Sequence, residues 1–302
     1  MPKPLPLVRR PLFYSCTALA ALLGASAWVG LYPMLPRDLG GVESLDARAE
    51  RVRIAVAPRD SVDAWYLPGP RPASVLLLHG YARTHSRMWR YGSFLHRAGY
   101  GVLAFDARSA RAVNRLPTTM GWNELPDAQA ALDWLRARQP HGAIGVLGES
   151  LGGSVALMLA ARNPDVAAVV EDCAFASGRL ALEETSERWA HLPRWPTAPV
   201  LRWLEWHATG FDPYAIDVVP AAQSLKRRPV LFIQGLEDNR FSALQVQSLW
   251  QAAGHKDPLW LIPDAGHNAG WIRHRALYER RVVAFFDRAL LGRGAGVPAG
   301  LI

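Results

Sequence analysis

A serine flanked by glycines lies between two apolar segments in the middle of the chain. The sequence is Gly148-Glu-Ser-Leu-Gly152, preceded by an apolar run from Ala143 to Leu147 and followed by an alanine-rich run from Leu151 to Arg162. The first run has the length of a buried strand, and the second has the composition of a helix. A G-x-S-x-G sequence at a strand-to-helix turn is typical of a nucleophile elbow, which exposes a serine hydroxyl on strained backbone. We therefore expect Ser150 to be a nucleophile, with the two glycines allowing strand and helix to approach closely.

A serine hydroxyl is a weak nucleophile at neutral pH, so it needs a base and a carboxylate that orients the base. Asp238 and His267 each stand in a loop that follows a predicted strand, in the chain order serine, acid, histidine. We expect Asp238 to be the acid and His267 to be the base. Glu237, which adjoins Asp238, and Asp172, which follows an earlier strand, stay open as alternative acids.

These motifs together resemble those of α/β-hydrolase-fold serine hydrolases, over a region from about Arg51 to Leu291. The segments that carry the resemblance are Leu78-His79-Gly80, Gly148-Glu-Ser150-Leu-Gly152, Gly235-x-x-Asp238 and Gly266-His267. The resemblance implies an α/β fold with a mostly parallel central sheet, helices on both faces, and a Ser150-Asp238-His267 triad. Within this fold the chain is similar to membrane-anchored Bem46-like and ABHD hydrolases, mainly through its N-terminal segment.

An acyl-transfer site also needs two backbone N–H groups that stabilise the developing oxyanion. One is expected from Leu151, the residue after the nucleophile, and the other from Tyr81, with Ala82 as the alternative. His79 is expected to support this turn without transferring protons. His85 and His274 are expected to be structural.

The order of apolar runs predicts alternating strands and helices, which is typical of a parallel sheet. A hairpin is predicted from strands 51–57 and 62–67, followed by strands 74–78, 101–105, 143–147, 166–170, 229–233 and 258–262. Helices are predicted at 88–97, 124–138, 151–162, 242–253 and 274–291. The catalytic domain is thus expected to span 51–292, with a short tail at 293–302.

Between residues 173 and 222 the alternation fails. Four tryptophans, with breaks at Pro193, Pro196 and Pro199, predict a small helical cap inserted between two strands. An insertion there would lie over the carboxyl ends of the strands, where ligands bind in open α/β sheets. We expect Trp203 and Trp206 of this cap, with Trp271 near His267, to line an acyl pocket. The alternative is that these tryptophans only pack within the protein.

An arginine-rich loop follows the predicted strand 101–105, where many relatives have a glycine-rich sequence. It contains Arg108, Arg111 and Arg115, and a neighbouring loop contains Arg83 and Arg87. These side chains would suit a rim that receives anionic substrates or lipid headgroups. A solvated protein face is the alternative.

The N-terminal segment has the pattern of a membrane anchor. Arg9 and Arg10 precede a stretch from Leu12 to Tyr32 without any charged residue, which is long enough to cross a bilayer as a helix. The positive-inside rule places the N-terminus in the cytoplasm and the catalytic domain outside. Cleavage of a signal peptide near Ala25-Ser26-Ala27, giving a secreted protein, is the alternative. Residues 1–32 are thus an anchor or signal segment and 33–50 a linker.

The composition limits the partners that we expect. The 302 residues carry a net charge of +8, but lysines are few and the arginines are scattered, so no patch predicts nucleic-acid binding. Cys16 and Cys173 give no disulfide framework, and no spacing of cysteine or histidine predicts a metal site. We expect no metal or other cofactor.

The combined prediction is a membrane-tethered serine hydrolase that cleaves carboxylic esters of acyl or lipid-like substrates through an acyl-enzyme. A thioesterase or a serine peptidase would use the same triad on another bond. A catalytically silent binding protein of this fold is the alternative from a different class.

Overall fold

The computed structural model of the protein describes Ala21, Gly24, Asp46 and residues 48–110, 116–254 and 258–292. Most of the predicted anchor, most of the linker, the tail, and Arg111 and Arg115 lie outside the described residues. Within the described part of the chain, no helix is long and apolar enough to cross a membrane.

An eight-stranded sheet forms the centre of the fold, with the strand order β1-β2-β4-β3-β5-β6-β7-β8. The strands are β1 (Glu50–Ala57), β2 (Asp60–Leu67), β3 (Ala73–Leu78), β4 (Gly101–Phe105), β5 (Ala143–Glu149), β6 (Val166–Asp172), β7 (Val230–Gly235) and β8 (Leu259–Ile262). The first two form the predicted edge hairpin, and β2 pairs antiparallel with β4. All other neighbours are parallel. The predicted α/β fold with a mostly parallel sheet is confirmed.

Helices cover both faces of this sheet, as a parallel sheet requires. They are α1 (His85–Arg97), α2 (Glu124–Arg138), α3 (Leu151–Arg162), α4 (Gly178–Glu184), α5 (Arg194–Thr209), α6 (Val219–Ser224), α7 (Ala243–Ala252), α8 (Gly270–Arg273) and α9 (Arg275–Leu291). Apolar side chains of α2, α3 and α7 form one core with Leu76 and Leu78 of β3, while those of α1 and α9 form the other with Val75 and Leu77. Successive residues of β3 thus fill opposite layers, because side chains alternate along a strand.

A helical segment connects β6 to β7, where the sequence predicted a cap. It contains α4, α5 and α6, a π-helical turn at Thr185–Trp189 and a 3₁₀ turn at Pro213–Ala215. Helix α4 begins after Ser177, whose hydroxyl accepts a hydrogen bond from the Leu180 N–H at 3.3 Å. Helix α5 ends at Gly210, which has the left-handed conformation common after a helix. We call residues 173–222 the cap segment.

Candidate active site

Ser150 occupies a strained turn between β5 and α3. Its backbone has φ 54° and ψ −122°, and its N–H donates to the Asp172 carbonyl at 2.7 Å. A Cβ atom on Gly148 would lie 2.1 Å from the Gly152 carbonyl oxygen, and one on Gly152 would lie 2.1 Å from the Leu78 carbonyl oxygen. Both distances are far below van der Waals contact, and both neighbours are backbone. The turn therefore requires glycine at both positions, as the sequence led us to expect.

A chain of hydrogen bonds joins Ser150 to Asp238 through His267. The His267 Nε2 lies 2.9 Å from the Ser150 Oγ, and its Nδ1 lies 2.7 Å from the Asp238 Oδ2. In a neutral imidazole, Nδ1–H donates to the carboxylate and Nε2 accepts from the serine hydroxyl. This geometry is suited to removing the serine proton as the oxygen attacks a carbonyl carbon.

Several donors hold Asp238 in the loop after β7. Its Oδ1 accepts from the N–H groups of Arg240 at 2.7 Å and Phe241 at 3.0 Å, and its Oδ2 also accepts from the Gln234 Nε2 at 3.0 Å. Burial by itself would raise the pKa of Asp238, but the hydrogen bond and charge of His267, with the backbone donors, leave that pKa below its ordinary value. The carboxylate is therefore ionised and fixed in orientation at neutral pH.

The two alternative acids lie elsewhere. Glu237 is exposed to solvent. Asp172 is buried beneath the elbow, where its Oδ2 accepts from the hydroxyl groups of Tyr91 at 2.9 Å and Tyr278 at 2.8 Å. Of the three acids weighed from the sequence, the structure therefore brings Asp238 to His267.

A buried polar network beneath the elbow was missed by the sequence analysis. Glu149, the residue before the serine, has a side chain only 1% exposed and is paired with Arg87 at 3.3 Å and with Arg90 at closer range. The Tyr91 hydroxyl bridges Glu149 and Asp172. The only signal in the sequence was the spacing of Arg87 and Arg90, which places them on one face of α1. This network ties the elbow to helix α1.

The loop after β3 is fixed against the elbow by His79. The His79 Nε2 accepts from the Ala107 N–H at 3.0 Å, so the ring proton is on Nδ1, which donates to the Gly80 carbonyl at 2.9 Å. Burial lowers the pKa of His79, which keeps the ring neutral. Both Tyr81 and Leu151, the predicted oxyanion donors, line the same cavity as Ser150.

The other two histidines weighed from the sequence are bound to carboxylates away from the serine. The His85 Nδ1 lies 2.8 Å from the Asp106 Oδ1, and its ring stacks on Trp65 with the ring centroids 3.4 Å apart. The His274 Nε2 lies 2.6 Å from the Asp264 Oδ1 at the surface. These contacts agree with structural roles.

A cavity of about 490 Å³ opens above Ser150, between the sheet and the cap segment. Its apolar lining includes Met120, Phe175, Ala181, Leu182, Leu201 and Phe241. This volume lies in the range of small-molecule sites, which are mostly apolar with a few polar groups.

The tryptophans that we expected in this cavity are elsewhere, and the prediction of their positions is wrong. Trp203 and Trp206 are 54% and 48% exposed and do not line the cavity, because α5 turns the face bearing Leu201 and Glu205 towards it. Trp271 packs under the Arg275 guanidinium, and its indole N–H donates to Glu279 at 3.2 Å. Trp189 is the tryptophan that does line the cavity.

The arginine rim is also only partly as expected. Arg108 is 11% exposed and binds Asp127 at 2.6 Å and Asp60 at 2.8 Å, so it joins the loop to the fold and does not receive a substrate. Arg83 and Arg87 do line the cavity, and Arg240 joins them there.

Cys173 brings a third possible metal-ligand atom to within 4.8 Å of those of Asp238 and His267. Both ring nitrogens of His267 are already hydrogen-bonded. Burial raises the pKa of the Cys173 thiol well above its usual value, so the thiolate that would bind a metal does not form at neutral pH. The Cys173 thiol donates instead to the Asp172 Oδ1 at 3.3 Å, so the three residues do not fit a metal centre.

The model of the alpha/beta hydrolase family matches residues 75–281, which is more than half of the chain. The chain belongs to the alpha/beta hydrolase family. Membership, together with the fold, makes the protein a hydrolase. It is 25% identical over 224 residues to the uncharacterized protein YqkD of Bacillus subtilis, covering 73% of each chain.

Solved structures agree on the fold of this alpha/beta hydrolase. The Pyrococcus furiosus esterase Pf2001 matches with a TM-score of 0.70 and 24% identity, over 85% of this chain and 98% of the esterase. The Pyrococcus horikoshii acylaminoacyl peptidase matches with a TM-score of 0.65 and 14% identity, over 84% of this chain and 43% of the peptidase.

Proposed function

We propose that this hydrolase is a serine esterase that cleaves acyl esters through an acyl-enzyme intermediate. The observation that carries the proposal is the hydrogen-bond chain from Ser150 through His267 to Asp238, which ends in a largely apolar cavity of about 490 Å³. The Pyrococcus furiosus protein whose fold matches this chain is named an esterase, which is consistent with this activity.

In the first half-reaction, the Ser150 Oγ attacks the ester carbonyl carbon while His267 Nε2 takes the hydroxyl proton. Asp238 stabilises the imidazolium that forms. The N–H groups of Tyr81 and Leu151 donate to the oxyanion of the tetrahedral intermediate. His267 then gives its proton to the departing alkoxide, which leaves as the alcohol, and the acyl group stays on Ser150.

In the second half-reaction, water replaces the alcohol. His267 takes a proton from the water as its oxygen attacks the acyl carbon, and it returns the proton to Ser150 Oγ when the carboxylic acid leaves. The strained backbone of Ser150 keeps its Oγ pointing out of the turn through both steps.

The apolar cavity lining favours an acyl chain as the group that is recognised. Each methylene buried in such a cavity contributes about 0.8 kcal/mol, so kcat/KM is expected to rise by up to about fourfold for each methylene until the cavity is full. Thioesters and amides would enter by the same route, and the substrate panel ranks the three bonds by rate.

The test is a panel of acyl esters from acetyl to dodecanoyl, with matched thioesters and aminoacyl amides, assayed with the full chain and with Ser150→Ala. We expect esters to be the best substrates, the rate to rise with chain length, and the variant to be inactive. Faster cleavage of the amides or thioesters would replace the esterase proposal by a peptidase or thioesterase. Absence of turnover on every substrate would reject it.

We also propose that the N-terminal segment anchors the catalytic domain on the non-cytoplasmic side of a membrane, as in the Bem46-like and ABHD hydrolases that the chain resembles. The support is in the sequence: Arg9 and Arg10 precede an uncharged stretch that ends at Tyr32. A C-terminal reporter active only outside the cytoplasm should give signal, and the full-length chain should stay in carbonate-washed membranes. A shortened soluble product beginning near Trp28 would show signal cleavage instead.

A further inference from the structure

A buried carboxyl group faces the same cavity from the cap segment. Glu205 of helix α5 is 2% exposed and lines the cavity, one helical turn after Leu201. Its Oε2 has no hydrogen-bond partner among the described residues. Buried polar groups in folded proteins are nearly always hydrogen-bonded, so this exception calls for an explanation.

The charge state of Glu205 follows from its surroundings. Burial raises the pKa of Glu205 to about 8, and no charged neighbour contributes to the shift. At neutral pH the side chain is mostly a neutral carboxylic acid, with one O–H donor and oxygen acceptors.

A carboxylic acid in this position does not help the protein to fold. An apolar side chain of similar size would pack beside Leu201 without leaving an unpartnered polar atom. The inward face of α5 otherwise carries Ala198 and Leu201, which are apolar, and Thr197. The Thr197 hydroxyl also has no hydrogen-bond partner among the described residues, but Thr197 does not line the cavity, whereas Glu205 does. The group that Glu205 can satisfy is therefore one that enters the cavity from outside.

We infer that Glu205 is a specificity-determining residue, which hydrogen-bonds a hydroxyl or carbonyl oxygen on the acyl chain of the substrate. The inference rests on the proposed esterase function and narrows its substrate class to oxygenated acyl chains. The wall around Glu205 includes the apolar side chains of Leu182 and Leu201, which would contact the hydrocarbon part of the chain. A neutral oxygen suits this wall better than a cation, because a cation would have to be desolvated there.

The experiment compares esters of one chain length that are unsubstituted or carry a hydroxyl or oxo group at successive positions. For the wild-type chain we expect one positional isomer to exceed the unsubstituted ester by about tenfold in kcat/KM, mainly through KM, as for one buried hydrogen bond. Glu205→Leu should reverse this preference. Glu205→Gln, which keeps a donor and an acceptor, should retain most of it.

Two controls separate specificity from structure. Glu187→Gln removes an exposed acid of the cap segment that binds Arg194 and does not line the cavity, and it should leave the preference unchanged. Because Glu205 is unpartnered, Glu205→Leu should keep or raise the Tm. A large fall in the Tm of Glu205→Leu would show that Glu205 stabilises the fold, and it would overturn the inference.

The remaining outcomes are also decisive. Equal losses on substituted and unsubstituted esters in Glu205→Leu, or the absence of any preferred oxygenated isomer in the wild type, would overturn the inference and leave the esterase proposal standing. A preference for esters with a terminal ammonium group, lost in Glu205→Gln, would also overturn it, because Glu205 would then act as an anion. Failure of the wild type to hydrolyse any ester would instead reject the esterase proposal itself.

Discussion

The substitution Asp238→Asn tests how the acid acts on the histidine. The two backbone donors, Arg240 N–H and Phe241 N–H, both point at Oδ1, so the asparagine amide oxygen has to occupy that place. The amide NH₂ then takes the place of Oδ2, which accepts from His267 Nδ1 at 2.7 Å in the native protein. Two donors would face each other there.

The imidazole can relieve this conflict by moving its proton from Nδ1 to Nε2. The Nε2–H would then point at the Ser150 Oγ, 2.9 Å away, and could not accept the serine proton. Loss of the correct tautomer in this way lowers kcat by about 10⁴-fold in a well-studied serine protease, which corresponds to roughly 5 kcal/mol of transition-state stabilisation. We expect a loss of about 10³- to 10⁴-fold here, with little change in KM.

The assay is hydrolysis of the best ester of the panel, with thermal unfolding to confirm that each variant folds. The matched control is Glu237→Gln, which changes the neighbouring exposed carboxylate and should stay within about twofold of the wild type, as for a surface substitution. If Asp238→Asn keeps more than about a tenth of the wild-type kcat, or if Glu237→Gln loses as much activity, the assignment of the acid is wrong.

Three further predictions concern the elbow, the buried acid and the cavity wall. Gly152→Ala should lower the free energy of unfolding by about 2–3 kcal/mol and the Tm by about 5–10 °C in calorimetry, because the new Cβ would lie 2.1 Å from the Leu78 carbonyl oxygen; an unchanged Tm would show that the turn relaxes. Between pH 4.5 and about 8, folded wild-type protein keeps the Glu205 proton that the unfolded chain has lost, so this residue makes the free energy of unfolding fall with rising pH, by at most about 1.4 kcal/mol per pH unit. Glu205→Gln should remove this contribution and make the pH dependence of chemical denaturation less steep. An equally steep profile in the variant would contradict this. Leu182→Trp, which changes the cavity wall, should shorten the preferred acyl chain in the ester panel, whereas Trp203→Ala should leave it unchanged. A shift in Trp203→Ala alone would show that the acyl chain binds on the outer face of α5.

The sequence predicted the sheet well because its strands are continuous apolar runs between turns. The strand Gly101–Phe105 and the helices Glu124–Arg138 and Leu151–Arg162 have the bounds that were expected. Helix α1 begins three residues earlier than predicted, at His85, whose N–H donates to the Asp106 side chain at 2.6 Å. That contact joins residues far apart in the chain, so no local pattern could indicate it.

The cap segment shows where sequence reasoning failed. Amphipathic helices usually bury their apolar side, but α5 buries Glu205 and exposes Trp203 and Trp206. Hydrophobicity alone therefore pointed to the wrong face. The buried network of Glu149 and Asp172 was missed for a related reason, because their partners come from α1 and α9, which only the tertiary fold brings together.

Covalent labelling tests whether Ser150 is an activated nucleophile. The full chain is treated with a fluorophosphonate, and the adduct is located by mass spectrometry of peptides. We predict one adduct per chain, on Ser150, with no labelling of Ser150→Ala and much slower labelling of Asp238→Asn. Labelling that persists in Ser150→Ala, or a folded wild-type chain that does not react, would contradict it.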